Sequence, residues 1–319
     1  MNTAKTDLRR PLAESLAPRV AIEERSARTG KGFRRHPHRE RFENAFTKPL
    51  LKFGLSITGL YSRGVRNATK PVLRELTLHF DRLPPAFDGY RIVHLADLHL
   101  DSVPGLAEVI AAATAGLHTD LVLMTGDYRF LTHGPCETVY AGTRKILAGI
   151  SARDGMYGIL GNHDSSEMAY PLEAVGLQLL INDAVPVERQ SAQLWLAGID
   201  DSYDYRTHDL PRALAPIPSD ACRVLMAHTP DLYAEASHAG VDLYLCGHTH
   251  AGQVRLPLIG SVIQNSDAPR SYTHGYWQHD RMHGYTSAGL GCSMLPIRFN
   301  CPPEIVTITL RRRQSAGSL

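Results

Sequence analysis

Residues 241–250 read Val-Asp-Leu-Tyr-Leu-Cys-Gly-His-Thr-His, an apolar run that breaks at Gly247 into two histidines one residue apart. A short run of Val, Leu and Tyr is the pattern of a buried strand, and a glycine after it lets the chain turn sharply. Two imidazoles at a strand end say little alone. The same arrangement recurs four times upstream. YRIVHLA (90–96) runs into Asp97-Leu98-His99, DLVLMTG (120–126) into Asp127, GMYGILG (155–161) into Asn162-His163-Asp164, and CRVLMAH (222–228) ends on His228.

Helical stretches, LAEVIAAATAGL (106–117) and ETVYAGTRKILAGI (137–150), separate these runs. Strand alternating with helix predicts an α/β domain with parallel sheet and helices on its faces. The carboxyl ends of parallel strands share one edge, where ligands bind, so five distant stretches become one site. QLWLAGID (193–200) and PEIVTITL (303–310) add strands, the latter expected to be antiparallel and to close the domain. Nothing between residues 70 and 310 reads as a linker long enough to split the domain.

The edge collects Asp97, His99, Asp127, Asn162, His163, His228, His248 and His250, and Arg129 is the one cationic side chain adjoining the set. Buried carboxylates and imidazoles without a counter-charge are costly, and metal ions supply one. Imidazole and carboxylate without thiolate suit Mn, Fe or Zn; Cys246 is read as core. Seven ligands exceed the needs of one ion and suit two that share a carboxylate. Two ions about 3.5 to 4 Å apart form the clamp of hydrolytic phosphoryl chemistry.

The ordered blocks D-x-H, G-D, G-N-H-D, H and G-H-x-H resemble those of the calcineurin-like metallophosphoesterases over roughly residues 72–310. The resemblance implies a four-layer α-β-β-α sandwich with a dinuclear metal site at the carboxyl ends of its strands. It implies Asp97, His99 and His250 on the first metal, Asn162, His228 and His248 on the second, and Asp127 bridging both. His163 is implied as a non-ligand catalytic residue that stabilises the transition state or protonates the leaving oxygen, with Asp164 orienting its ring. A hydroxide held between two cations forms near neutral pH and would attack phosphorus in line. Arg129 is expected on a substrate phosphate or, equally, in an outward-facing salt bridge.

FDGYRIVHLADLHL, GDYRF, GHTHAGQVRLP and LPIRFNCPPEIVTITL are similar to a branch of bacterial phosphodiesterases that includes cell-envelope members and an enzyme cleaving UDP-2,3-diacylglucosamine in lipid A biosynthesis. The block usually has glycine where Ala251 stands, a change that adds only a methyl group if φ there is negative. The expected function is a phosphodiesterase or pyrophosphohydrolase acting on a phosphoester, in one version a lipid-linked nucleotide. A phosphomonoesterase, protein phosphatase or nuclease is the alternative enzyme, and a scaffold that keeps the fold without catalysis is the alternative class. A scaffold is free to lose ligands or His163, and this chain keeps all eight positions.

The outer parts of the chain carry the charge asymmetry. Residues 1–80 hold 17 Lys+Arg against 7 Asp+Glu, and the remainder holds 17 against 25. An acidic body argues against a nucleic-acid groove, and a basic arm suggests an anionic surface such as a membrane. Residues 1–41 read as a disordered basic arm. Residues 42–66 read as an amphipathic helix on Phe42, Phe46, Leu50, Phe53, Ile57 and Leu60, flanked by Lys48, Lys52, Arg63 and Arg66. Such a helix lies in a membrane interface or packs on the protein's own surface. Residues 67–310 form the metallophosphoesterase domain and 311–319 a basic tail. Five cysteines without a CxxC pair read as reduced, mostly buried thiols, and residues 1–48 lack the apolar core of an export signal. A cytoplasmic protein, peripheral on the inner membrane, is expected.

His94, His118, His133 and His208 belong to no block and are read as ordinary. Tyr272, His274, Tyr276, Trp277, His279 and His283 read as a surface loop, with a place in the substrate cleft as the alternative. Asp200 and Asp201 are read as structural or as supports for the ligands.

Overall fold

The computed structural model describes residues 9–30, 47–261, 263 and 265–313. The five apolar runs all become strands, but they divide between two sheets. The first sheet has the order β1 (Val72–Phe80), β16 (Glu304–Arg312), β2 (Tyr90–Leu95), β4 (Leu121–Met124), β6 (Met156–Gly158), β7 (Gln178–Leu179). The second has the order β14 (Gly275–His279), β15 (Met282–Thr286), β11 (Leu243–Cys246), β10 (Arg223–Met226), β9 (Ala192–Gly198), β8 (Asp183–Arg189). Two short pairs stand apart: β3 (Leu117–Thr119) with β5 (Ile150–Ala152), and β12 (Arg255–Leu256) with β13 (Gly260–Ser261).

Strands β2, β4, β6 and β7 are mutually parallel, as are β9, β10, β11 and β15. Their side chains explain the layering. Leu121 and Leu123 of β4 face Val224, Met226, Leu243 and Leu245 of the second sheet, which closes a core between the sheets. Val122 and Met124, on the other face of β4, pack against Ile110, Val139 and Ile146 from the helices α4 (Leu106–Thr114) and α5 (Glu137–Ala148). Leu225 and Tyr244 do the same on the far side of the second sheet, against Leu210 and Ala213 of α6 (Leu210–Leu214) and Ala236 of α7 (Tyr233–His238). Strands buried on both faces need apolar residues at every position rather than at alternate ones. The result is the expected α-β-β-α sandwich.

The chain departs from its sequence reading in five places. β16 is antiparallel to β2 as expected, but it also runs parallel to β1 and lies between them, inside the sheet. Its residues are buried from Glu304 through Thr307, which an edge strand with one wet face would not be. It also extends to Arg312, so the domain includes residues given to the tail, and Asp88 accepts from Arg311 Nη1 and the Arg312 N–H. Residues 272–283 form no surface loop: most belong to the β14–β15 hairpin, with Trp277 buried and stacked on Tyr272.

The basic arm contains an ordered helix, α1 (Leu12–Thr29), which ends on Gly30 in a left-handed conformation. Leu16 and Arg19 are fully covered by the domain, so burial of one helix face replaces the expected disorder. The single helix expected over 42–66 is two, α2 (Thr47–Ile57) and α3 (Leu60–Ala68), because Gly59 turns the chain at φ 71°. Phe42 and Phe46 lie outside the described residues. Helix α3 is the part that packs: a side chain at Gly64 would meet Ile297 and Phe299 within 3 Å. No helix among the described residues is long and apolar enough to cross a membrane.

Candidate metal centre

Each block follows the carboxyl end of its strand, and the chain there adopts a conformation that L-residues avoid. Asp97, His99, Asp127, His248 and His250 all have φ between 38° and 68°. A left-handed residue with a Cβ costs about 1 kcal/mol, and such strain concentrates where a site requires it. Backbone approaches are correspondingly close. A Cβ on Gly161 would fall 2.2 Å from Asp127 Oδ1, and one on Gly247 would fall 2.2 Å from Asp97 Oδ2. Those glycines let the strand ends crowd until their side chains meet.

Two groups result. Asp97, His99 and His250 place ligand atoms within 4.8 Å of one another, and so do Asp127, His228 and His248; all six are buried. Asp127 Oδ2 lies 3.4 Å from His99 Nε2 and 3.3 Å from His228 Nε2, between the groups. The Asn162 amide oxygen lies 2.9 Å from His228 Nε2 and 3.0 Å from His248 Nδ1, in the second group.

Carbonyls and amides outside the groups set the ring orientations. His99 Nδ1 bonds the Arg129 carbonyl at 2.8 Å and His228 Nδ1 the Thr125 carbonyl at 2.8 Å, which leaves each Nε2 directed inward. His248 is reversed: its Nε2 meets Asn265 Nδ2 at 3.1 Å and its Nδ1 faces the site. Both Asp97 oxygens accept from the His248 N–H at 2.9 Å. A donor set of imidazoles, carboxylates and an amide oxygen, all buried and converging, fits two first-row divalent ions.

The charges fit the same account. Burial pushes the Asp97 carboxyl up to about 7, with His228 pulling it down and Asp127 adding to the rise. Burial works in the same direction on Asp127, but the imidazoles of His228 and His163 outweigh it and hold that carboxyl well below its ordinary range. Burial lowers His228, yet Asp127 overrides it and lifts the ring to about 10.

Three expectations about the remaining residues change. Asp164 does not orient the His163 ring: His163 Nδ1 is held by the Phe130 carbonyl, and the Asp164 carboxylate accepts from the N–H groups of Asp127, Tyr128 and Gly161 at 2.8 to 3.0 Å. Three backbone donors converge on that carboxylate, which ties two site loops together. Arg129 does not form the outward salt bridge. It is 1% exposed, and its Nη2 donates to the carbonyls of His133 and Gly134. Ala251 has φ 50°, not a negative value, so the methyl group stands in the region that glycine prefers.

Several site residues were missed. Asp204 accepts from Asn162 Nδ2 at 2.9 Å, which aims the amide oxygen at the histidines. The Tyr203 ring lies 4.2 Å from the His248 ring. Arg298 is fully buried, with Nη2 3.3 Å from His250 Nδ1 and donating to the carbonyls of Ala288 and Gly291. An arginine within LPIRFN and a run of acids in DDSYDY were the available signals.

Comparison with known proteins agrees with this geometry. The model of the calcineurin-like phosphoesterase family matches residues 90–252. Phosphodiesterase YaeI of Escherichia coli (strain K12) is 29% identical over 230 residues, covering 69% of this chain and 82% of that protein. The uncharacterized metallophosphoesterase YkuE of Bacillus subtilis (strain 168) is 29% identical over 249 residues, covering 74% of this chain and 84% of that protein.

Proposed function

The chain belongs to the calcineurin-like phosphoesterase family and is a metal-dependent phosphoester hydrolase; from that premise we propose that it cleaves a phosphodiester or pyrophosphate bond in a lipid-linked substrate held at an anionic membrane surface. The observation that carries the hydrolytic part is the meeting of two ligand groups around the Asp127 carboxylate.

In this reading Asp97, His99 and His250 would hold one ion and Asn162, His228 and His248 the other, with Asp127 placed to serve both. Bound there, two divalent ions supply Lewis-acid polarisation of the phosphoryl oxygens and acidify water. The protein's own groups do the rest. His163 is 8% exposed, packed 4.9 Å from the His99 ring, and its Nδ1 is occupied by the Phe130 carbonyl. Its Nε2 is therefore the atom that stabilises charge on the phosphoryl group or delivers a proton to the leaving oxygen. Asp164 and Asp204 hold the backbone and the Asn162 amide in place.

Support for a lipid surface comes from α2 and α3. Between Glu43 and Glu75 there is no acidic residue and there are six Lys+Arg. Leu50, Phe53 and Ile57 are 65% to 72% exposed, an apolar ridge beside the exposed Lys52. Helix α3 rests on residues 297–299, through Arg298 N–H to the Gly64 carbonyl and Asn67 Nδ2 to the Arg298 carbonyl. The β12–β13 hairpin joins the same segment through Arg255 N–H to the Phe299 carbonyl, and it exposes Leu256, Leu258 and Ile259. Both apolar features are therefore tied to the segment whose arginine reaches His250. Apolar ridge and clustered cations are the pattern of interfacial binding.

The test is a mass-spectrometric substrate panel with manganese, comparing UDP-2,3-diacylglucosamine, simple diesters, monoesters and single-stranded DNA. Cleavage of the lipid-linked pyrophosphate or of diesters, faster in anionic vesicles, is expected. Turnover of monoesters alone would sink the diester reading, and equal rates with and without vesicles would sink the membrane part.

A further inference from the structure

Helix α1 lies outside the residues matched by the family model, yet it reaches the loop that carries Asn162 and His163. Its inward face is read at residues 16, 19 and 23, spaced three and four apart along one side of the helix. Leu16 enters the same apolar cluster as Met168, Leu172 and Leu179. Arg19 is wholly buried, and its Nε and Nη2 bond Asp200 Oδ1 at 3.0 and 2.6 Å. Its Nη1 donates to the carbonyl of Gly161 at 3.2 Å and to that of Asp164 at 2.6 Å. The guanidinium lies 3.9 Å over the Tyr205 ring. One turn on, the Glu23 carboxylate accepts from the Ser166 N–H at 2.9 Å, from the Ser166 hydroxyl, and from Tyr205 Oη at 2.8 Å.

The two carbonyls bound by Arg19 bracket Asn162 and His163. We infer that α1 is an intramolecular clamp on the catalytic loop, with Arg19 the positioning residue that fixes the placement of the Asn162 amide and the His163 ring. Only a planar fork with several donors can hold the Asp200 carboxylate and two loop carbonyls together; a lysine ammonium can keep the ion pair but not the whole pattern. Without the fork, the two carbonyls lose a buried charged donor, and the loop is free to take other conformations. A displacement of about 1 Å at catalytic side chains is enough to cost about 100-fold in rate. The inference rests on the reading of Asn162 and His163 as working parts of the metal centre.

The full-length Arg19→Lys variant separates positioning from folding, because it keeps a cation beside Asp200. Three measurements apply: thermal midpoint, turnover of bis-p-nitrophenyl phosphate, and amide hydrogen exchange of residues 161–166 relative to 121–124. A midpoint within a few degrees of wild type is expected, with kcat down tenfold or more, KM within threefold, and faster exchange at 161–166 alone. A folded variant with wild-type kcat, or with unchanged exchange at 161–166, overturns the clamp. If Arg19→Lys does not fold, Glu23→Ala should accelerate exchange at 164–166, and its failure to do so overturns the proposal equally. The exchange result decides the clamp even if wild type hydrolyses nothing, in which case the hydrolytic reading alone falls.

Discussion

His99 Nε2 and His250 Nε2 face each other at 3.1 Å, with Asp97 completing the group. His99 Nδ1 is engaged by the Arg129 carbonyl, so its inward nitrogen offers a lone pair, which the His250 Nε2–H meets here and which a metal ion would take in its place. The His250→Ala variant should therefore retain close to one ion of two by elemental analysis, whereas Asp127→Asn, which weakens both groups, should fall below one. Full occupancy in Asp127→Asn would remove the bridging role.

Metal binding should also be visible in stability. Ligands that converge only in the fold bind ions to the native state and not to the unfolded chain. Dialysis against a chelator should lower the thermal midpoint, and manganese should restore it. An unchanged midpoint would mean that the ligand groups hold no ion of consequence.

His163→Ala should keep its metal content and lose about 100- to 10,000-fold in kcat, the range for removal of a positioned acid or base. Asp164→Ala should behave differently, because its carboxylate caps three backbone N–H groups and not the ring. Charged hydrogen bonds contribute about 1.5 to 3 kcal/mol each, so a large loss of stability by urea denaturation is expected. A fully stable but inactive Asp164→Ala would restore the ring-orienting role.

Acid sensitivity has an identifiable contributor outside the ligands. His94 is fully buried, its Nε2 is 3.0 Å from Thr125 Oγ1, and burial pushes the ring down to about 3. The ordinary value is 6.5, so below it the unfolded chain takes up a proton that the folded chain refuses. The stability contributed by the neutral ring is complete above 6.5 and is lost as pH falls toward 3. Between pH 7 and 5, His94→Gln should lose less stability than wild type, by up to about 2 kcal/mol. Identical losses would exclude His94 as a source.

Membrane contact can be tested without removing α1. Leu50→Ser with Phe53→Ser and Ile57→Ser should weaken co-sedimentation with anionic vesicles about tenfold or more, since each side chain buries several methylene groups in the interface. Hydrolysis of a water-soluble diester should be unchanged. Vesicle binding at the wild-type level would show that the ridge serves another purpose.

The candidate ligands were legible because each follows an apolar strand in a fixed order, and local pattern is enough to find strand ends. The outward salt bridge expected of Arg129 fails because adjacency in sequence to Asp127 says nothing about where a long side chain points. Asp164 was misread for a related reason: its carboxylate meets backbone N–H groups 36 and 37 residues away as well as one nearby. Arg19 was hidden altogether, since its partners lie 142 to 181 residues downstream and the segment around it has the composition of a disordered arm.

By itself, then, the order of apolar runs and the polar residues that end them determined the family, the sandwich and which side chains gather as candidate ligands, because burial and strand ends are encoded within a few residues. Only the tertiary structure decided that β16 lies inside its sheet, that α1 closes on the 161–166 loop, and that Arg298 stands behind His250. Those are contacts between segments far apart in the chain, and a buried cation is tolerated there only because carboxylates and carbonyls from other elements arrive to meet it.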